Sequence, residues 1–592
     1  MILQALVRHY ETLSERGEIA PPGWSEVKVS YALCLSPDGE LRQAVCIKTE
    51  QPKGKKTVLA PQLIRLPAPV KRSSGIAPNF LCDNSAYMLG IDNKGKPERA
   101  RDCFRACGEL HEKLLADVDT PAAKAVLAFF RSWEPEKAAE HPALAENLED
   151  MLAGMNFVFR VDSGYVHDDP QVQQAWNQHQ SSEGEGPEMV CLVTGKTGPV
   201  EKTHPSIKNV AGAQSSGAAL VSFNADAFCS YGREQNYNAP VGQYATFAYT
   251  TALNHLLADR KHVCRLGDST VVYWAKSGGS AYQDMMGGFC FGQDSTYDEN
   301  DLYSLVQKLC QGDAVTFEDE KLDPDMDFYV LGLSPNAARL SVRFFLHNTL
   351  GNFLKNVMNH HERLEIVRPA FDKFTTIPLW ALLSETVNQK SRDKSPAPNL
   401  AGDTLRAVLN NTPYPASLLN GTRLRIRAEQ NITRGRAAII KAYYLQMFQK
   451  NKSIPDIPNP EEVLTVSLNP NSTSVPYNLG RLFSVLEAIQ VDSAKPANLN
   501  STIKDRYFSS ASSMPSHIFP PLINLAQAHL KKLYKAAPGL AVNHEKLLTE
   551  LMSKLDESYP VHLSIPQQGV FQLGYYHQTQ ARYESKKNKE DN

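Results

Sequence analysis

Near residue 348 the hydrophobic period of the sequence changes, and that change limits the fold more than any other feature. Upstream, two-residue alternation recurs at 27–35 and 41–48, on either side of Pro37-Asp38-Gly39-Glu40. It recurs at 328–333 and 338–346, on either side of Ser334-Pro335-Asn336. Alternation around a turn-forming stretch predicts hairpins, because successive side chains of a strand face opposite sides of the sheet. Further strands are predicted at 155–162, 189–194 and 269–276, and helices at 2–15, 100–116, 121–132, 142–154 and 239–258. The polar, acidic run 167–188 is expected to be a mobile loop. Downstream, apolar residues recur every three or four positions at 348–365, 377–389, 402–411, 416–431 and 434–450. Pro455, Pro458, Pro460, Pro470 and Pro476 then mark a linker, followed by helical periods at 477–490, 499–510, 516–536, 543–556 and 570–585. The expected class is α+β: a mixed region 1–347, a helical connecting region 348–462 and an all-α bundle 463–592.

Composition excludes several functions. The 592 residues carry 62 Lys+Arg against 64 Asp+Glu, so the chain is no uniform polycation, although local basic surfaces remain open to it. No apolar run approaches the ~18–20 residues of a bilayer-spanning helix, and the N-terminal residues mix charge into a helical pattern unlike a signal peptide. Ten cysteines contain no CxxC pair. The expectation is a cytoplasmic chain without membrane partner, metal or cofactor. Thr194-Gly195-Lys196-Thr197-Gly198 imitates the end of a phosphate loop, yet GxxxxGK[ST] needs glycine where Val190 stands. Cys103, Cys107 and His111 share a helix face, but no fourth ligand has finger-like spacing, so they read as core. His360-His361-Glu362 lacks the HExxH spacing and reads as a surface pair. No nucleophile elbow is present, and nothing in the sequence argues for an enzyme.

Basic segments carry the functional signal. Residues 51–82 contain no acid but include Lys53, Lys55, Lys56, Lys71 and Arg72. Within them, Lys71, Arg72, Ser73, Gly75 and Asn79 combine what entry into a nucleic-acid groove requires. Cations hold phosphate, small residues allow close backbone approach, and Lys or Asn donors bond base edges. A second segment places Lys208 before the Gly/Ser-rich Gln214 and Ser215. A third gathers Arg423, Arg425, Arg427, Arg434 and Arg436 ahead of Tyr443 and Tyr444, and Lys504, Arg506 and Tyr507 repeat the pattern in the bundle. One charge run is usually a solvated face; such segregation in a chain of net −2 points towards nucleic acid.

A set of longer motifs is more specific: Met1-Ile2-Leu3-Gln4-Ala5-Leu6, Ala20-Pro21-Pro22-Gly23-Trp24, Ser30-Tyr31-Ala32-Leu33 and Tyr87-Met88-Leu89-Gly90. Further on stand the Gly212-to-Gly217 loop, Ser230-Tyr231-Gly232, Asn238-Ala239-Pro240-Val241, Gly480-Arg481-Leu482-Phe483, Asp505-Arg506-Tyr507-Phe508 and the run 571–578. Together they resemble the large subunit of the subtype I-C CRISPR Cascade complex, from the first residue to about 583. The resemblance implies a non-catalytic subunit that reads a protospacer-adjacent motif in target double-stranded DNA and helps open it. It implies a guide RNA, a displaced strand, and backbone, guide-end-capping and small subunits as partners, together with a helicase-nuclease recruited to the complex. The chemistry of the basic segments then places motif reading at Lys71, Arg72, Ser73, Gly75 and Asn79. It places backbone contact at Lys53, Lys55, Lys56, Lys208, Gln214, Ser215, Arg423, Arg425, Arg427, Arg434, Arg436, Lys504 and Arg506. The resemblance further implies that the C-terminal bundle is also made alone, as the small subunit. A nuclease or guide-RNA-processing enzyme, and a pure assembly scaffold, are the alternative readings.

Overall fold

A computed structural model of the chain describes residues 1–592 apart from 54–55, 71, 73–74, 163, 183–185, 294–296, 373, 393, 398, 556–557 and 591–592. The chain divides into two compact units, Met1–Pro205 with Val221–Leu253, and Ser206–Leu220 with Asn254–Asn592. The class is α+β, with sheets concentrated towards the N-terminus and, among the described residues, helices as the only regular elements beyond Thr349. Among the described residues no helix is long and apolar enough to cross a membrane.

In the first unit, the expected hairpin pairs Tyr31–Leu35 with Leu41–Cys46. Tyr31–Leu35 also lies parallel to Asn156–Val161, and Cys82–Asn84 pairs antiparallel on that strand's other side. Alternation sorts the side chains. Tyr31, Leu33, Leu35, Phe157, Phe159 and Val161 face the core built with helices Pro97–Leu115 and Pro121–Ser132, while Ala32 and Val158 face Val29 and Leu66. The hairpin turn needs Gly39: its φ is +85°, and a Cβ there would strike the Phe129 amide and the Ala128 methyl.

Several expectations change here. Residues 167–188 contain a helix, Pro170–Ser182, rather than a mobile loop. Two apolar residues, Val172 and Trp176, anchor it; both are buried, and Trp176 Nε1 donates to the Gly23 carbonyl at 2.8 Å. Asp169 Oδ1 starts it by accepting from the Gln171 and Val172 amides. Helix 142–154 contracts to Leu148–Leu152, and strand 189–194 to Glu188–Val190. The unassigned residues 49–67 form strands: Thr49–Lys53 pairs with Lys56–Ala60, and Gln62–Pro67 with Trp24–Val29.

In the second unit an antiparallel sheet orders Val263–Leu266, Ser269–Ala275, Asp327–Asn336 and Arg339–Thr349. One continuous core joins this sheet (Tyr273, Phe328, Leu346) to the helices that follow, as far as Phe571 and Tyr576. The proline-rich stretch belongs to that core: Ile454, Ile457, Val463 and Leu464 are buried. Proline forbids continued helix but not burial, and the Glu462 carboxylate accepts from the Thr473 amide at 2.8 Å to fix the segment. His360 and His361 form no surface pair either. His360 is buried, with Nδ1 2.6 Å from Tyr414 Oη, and burial draws His361 down to about 4 against the pull of Glu299.

The helices Val475–Ala494 and Ile565–Glu590 cross with almost no space between their backbones. A Cβ on Gly480 would overlap the Phe571 carbonyl oxygen, and one on Gly574 would overlap that of Tyr477. A polar seam runs along the crossing. Tyr477 Oη lies 2.8 Å from His577 Nδ1, Arg481 Nε donates to Gln578 Oε1 at 3.0 Å, and Tyr575 Oη donates to Glu487 at 2.6 Å. Further along the same helix, Asp492 is surrounded by His544 (3.0 Å), Lys495 (2.8 Å) and Arg582 (2.7 Å). Burial raises its carboxyl pKa, and these three donors outweigh burial and hold it well below the usual range. Gly574→Ala should therefore lower the urea midpoint by the equivalent of about 3 kcal/mol, the upper end of overpacking costs. Gly539→Ala, where nothing lies within 4 Å of the added carbon, should leave the midpoint unchanged or slightly raised.

Candidate nucleic-acid interfaces

In the first unit the acid-free run ends at Asp83, and that residue organises the loop before it. Asp83 is 1% exposed. Its carboxylate accepts both terminal nitrogens of Arg72 and the backbone amides of Asn79 and Asn84. Arg72 Nε donates to the Ala77 carbonyl at 2.6 Å, and its guanidinium lies 4.0 Å from the centre of the Tyr87 ring. Burial opposes the Arg72 charge, and the Asp83 carboxylate outweighs it, so the guanidinium is held more firmly protonated than usual. Asn79 Oδ1 closes the neck by accepting from the Val70 amide at 2.9 Å, while Arg99 reaches the Gly75 carbonyl at 3.0 Å.

Arg72 thus ties the Ala77 carbonyl to the Asp83 carboxylate. Asn79 is divided: its oxygen serves the fold, and its Nδ2 donor has no partner among the described residues. Gly75 is exposed with φ +84° and open space where a side chain would stand. Lys71, Ser73 and Lys55 lie outside the described residues. Lys53 and Lys56 are register partners in the pairing of Thr49–Lys53 with Lys56–Ala60. Below the loop, His111 donates from Nδ1 to the Cys107 carbonyl and accepts the Leu81 amide on Nε2 at 3.0 Å. Both ring nitrogens are engaged in packing, and burial lowers the imidazole to about 4. The Thr194-to-Gly198 run joins two paired strands, Glu188–Val190 and Thr197–Pro199, and enters no helix. It therefore lacks the helix N-terminus on which a phosphate loop depends.

In the second unit the arginine run divides in two. Arg436 is buried between Glu385 (3.2 Å) and Glu429 (2.5 Å). Arg434 donates to Asp372 at 2.9 Å and to the carbonyls of Phe374 and Thr375 at 2.6 Å. Lys441 is also internal: burial draws it down to about 8 against the field of Glu365, and Nζ donates to the Arg363 carbonyl. Arg427 is exposed, Arg423 and Arg425 are half-buried, and Arg425 lies 3.5 Å from Glu429. Gln430 ends their helix, Ala416–Glu429, and its Nε2 donates to the Arg427 carbonyl and to Ser509 Oγ. Ser509 belongs to Ile503–Ser513, the helix that carries half-buried Lys504 and exposed Arg506 and Tyr507. One side chain therefore brings together two cation groups that are eighty residues apart in sequence. Elsewhere in this unit, an Ile207–Ala218 bridge and an Ala219–Arg339 bridge anchor a loop that exposes Lys208, Gln214 and Ser215.

Compared with known families, residues 6–583 match the one described as CRISPR-associated protein (Cas_Csd1). The chain belongs to the Cas_Csd1 family. This is the large subunit of the subtype I-C Cascade complex, an effector assembly that works with guide RNA and DNA. No curated protein matches the chain. The structure gives several of the large subunit's motifs a packing role. Tyr87 lies beneath Arg72, and Gly480 and Gly574 let two helices meet. In Asp505-Arg506-Tyr507-Phe508, Asp505 completes a capping box with Thr502 and Phe508 is buried, which leaves Arg506 and Tyr507 facing outwards. Asp83 had one sequence signal, its position as the acid that ends the acid-free run.

Removing Asp83 leaves a partly buried guanidinium without its counter-ion. Asp83→Ala should cost about 3–5 kcal/mol and open residues 70–79 to limited proteolysis. Asp102→Ala, which breaks an exposed i,i+3 pair with Arg105, should change stability by less than about 1 kcal/mol.

Proposed function

We propose that this chain reads a short protospacer-adjacent motif in duplex target DNA, assists strand opening and holds the displaced strand, without catalysing a reaction itself. The observation that carries the reading is the loop 70–79. It is free of acids, pairs Arg72 with Asp83, and has an unused amide donor on Asn79 beside the bare backbone of Gly75. At Gly75 the absent side chain lets the backbone approach base edges. Lys71 and Ser73 supply a cation and a hydroxyl in the same stretch, with Lys53, Lys55 and Lys56 as phosphate contacts. In this reading base pairing to the guide RNA reads the rest of the target, a division of labour known from other guided effectors.

The displaced strand would follow Arg423, Arg427, Lys504, Arg506 and Tyr507, cations interleaved with an aromatic ring. Arg434 and Arg436 support that surface from inside, and half-buried Arg425 lies beside Glu429. The exposed loop of Lys208, Gln214 and Ser215 is a further backbone contact. The remaining surface meets the backbone, guide-end-capping and small subunits and the helicase-nuclease. The working division is motif recognition in 1–347, connection in 348–462 and a bundle resembling the small subunit in 463–592.

Binding of the assembled complex to duplexes with systematically varied flanking bases tests this. Asn79→Ala should remove about 1–3 kcal/mol of discrimination per lost base contact, whereas Lys53→Ala or Lys56→Ala should weaken all sequences alike. Joint neutralisation of Arg423, Arg427 and Arg506 should leave motif ranking intact and reduce the salt slope by roughly 0.7 per lost single-strand phosphate contact. An Asn79→Ala complex that ranks the duplexes as the unmodified one does would locate motif reading elsewhere.

Separate production of the bundle has its own test. Residues 463–592 expressed alone should be soluble and helical by circular dichroism. Where helix Arg434–Asn451 packs Tyr444 and Ile440 onto Gly569, the isolated bundle would expose an apolar face. An aggregated product would place the boundary upstream of that helix.

A further inference from the structure

The loop 226–238 of the first unit has no part in the reading above, yet it presents the most exposed large hydrophobic side chain among the described residues. Tyr231 is 99% exposed. Its φ is +54°, the left-handed region that a residue with a bulky side chain adopts only at a cost, and Gly232 and Gln235 follow at +69° and +45°. The conformation is held firmly. Asn238 Oδ1 accepts the Ser230 amide at 2.9 Å, and its Nδ2 donates to the carbonyls of Arg233 (2.9 Å) and Gln235 (2.8 Å). Glu234 is tied to Lys202 at 3.2 Å, and the Asn236 side chain is buried. A single asparagine thus braces both sides of a strained tip whose ring lies in solvent.

The setting of the ring indicates what it meets. Ser230, Gly232, Arg233 and Gln235 surround it in sequence, and besides Tyr231 the exposed apolar residues of the loop are Ala227 and Phe228, with Cys229 and Tyr237 half-buried. A protein interface needs a contiguous apolar centre, which this tip lacks. A nucleobase needs only one rigid ring to stack on and a cation for its phosphate. Arg233 is exposed and makes no ion pair among the described residues, whereas Asp226 keeps some negative charge at the loop's base.

We propose that Tyr231 is a stacking platform for one unstacked nucleobase of a single strand, with Arg233 beside it for the adjoining phosphate. This rests on the function proposed above, in which the complex holds guide RNA and opens target DNA. The base comes either from opened target DNA or from the guide RNA.

The test uses the assembled complex with Tyr231→Ala, Tyr231→Phe and Tyr231→Gly. Its probes are a duplex target carrying 2-aminopurine next to the flanking motif, the same target pre-opened by mismatches, and labelled guide RNA. If the base is in DNA, Tyr231→Ala should weaken target binding roughly 5- to 150-fold and leave 2-aminopurine unquenched, while Tyr231→Phe stays near the unmodified protein. A smaller loss on the pre-opened target assigns the contact to the opening step. If the base is in the guide, retention of RNA falls instead and DNA affinity per loaded complex is unchanged. Tyr231→Gly should match or exceed the unmodified protein in thermal stability while binding as poorly as Tyr231→Ala, because glycine relieves the left-handed strain. Equal behaviour of Tyr231→Ala and unmodified complexes in every nucleic-acid arm would overturn the proposal. So would loss of subunit assembly in mixtures lacking RNA. An unmodified complex that ignores flanking bases would refute motif reading and leave the guide-RNA arm able to judge Tyr231.

Discussion

The C-terminal half of this protein depends on two helices meeting backbone to backbone. Gly480 faces the Phe571 carbonyl and Gly574 faces that of Tyr477, so neither position has room for even a methyl group. Such an approach brings polar groups of the two backbones and side chains into a dry contact, where each must find a partner. The seam supplies them: Tyr477 to His577, Arg481 to Gln578, Ser484 to Thr579 and Tyr575 to Glu487. Around this crossing the apolar residues of the other helices close one continuous core that reaches back to the sheet at Tyr273 and Phe328. The glycines set the distance, and the hydrogen bonds set the register.

Buried charge follows the same logic in both units. Asp83, Asp492 and Arg436 are each nearly inaccessible, and each is surrounded by groups of opposite charge or by hydrogen-bond partners. A buried ion pair adds little net stability over an apolar pair, but breaking one is costly, so such pairs define one conformation sharply. In the first unit Arg72 and Asp83 pair, and the Asn79 Nδ2 has no partner among the described residues. On the arginine-rich helices, Arg434 and Arg436 position the framework, and Arg427 and Arg506 remain on its surface.

Much of the fold was legible in sequence where one face is apolar and the other polar. Helix Pro121–Ser132 falls at its expected position because its period is strong; strand Ser269–Ala275, buried at every position, was legible instead as a β-branched and aromatic run, and the five C-terminal helices fall near their expected positions. Pro170–Ser182 was not legible. Only Val172 and Trp176 anchor it among polar residues, and the partners that hold it, Gly23 and Phe80, are distant in sequence. The strands of 49–67 pair through backbone groups, which leave no residue pattern behind. Of the candidate site residues, the basic clusters could be read from composition, but the division between internal and exposed cations could not.

The sequence by itself determined the α+β class, the change to helices near residue 348 and the family, since these follow from local period and from motifs within single segments. Only the tertiary structure decided that Arg72 is tied to Asp83 and that Arg436 is buried between two glutamates, while Arg427, Arg506 and Tyr231 face solvent. A charge is inside or outside according to the acids that meet it. Asp83 stands eleven residues from Arg72, Glu385 stands fifty-one from Arg436, and Gln430 reaches Ser509 across seventy-nine. Folding brings those partners together, and no local pattern records their distances.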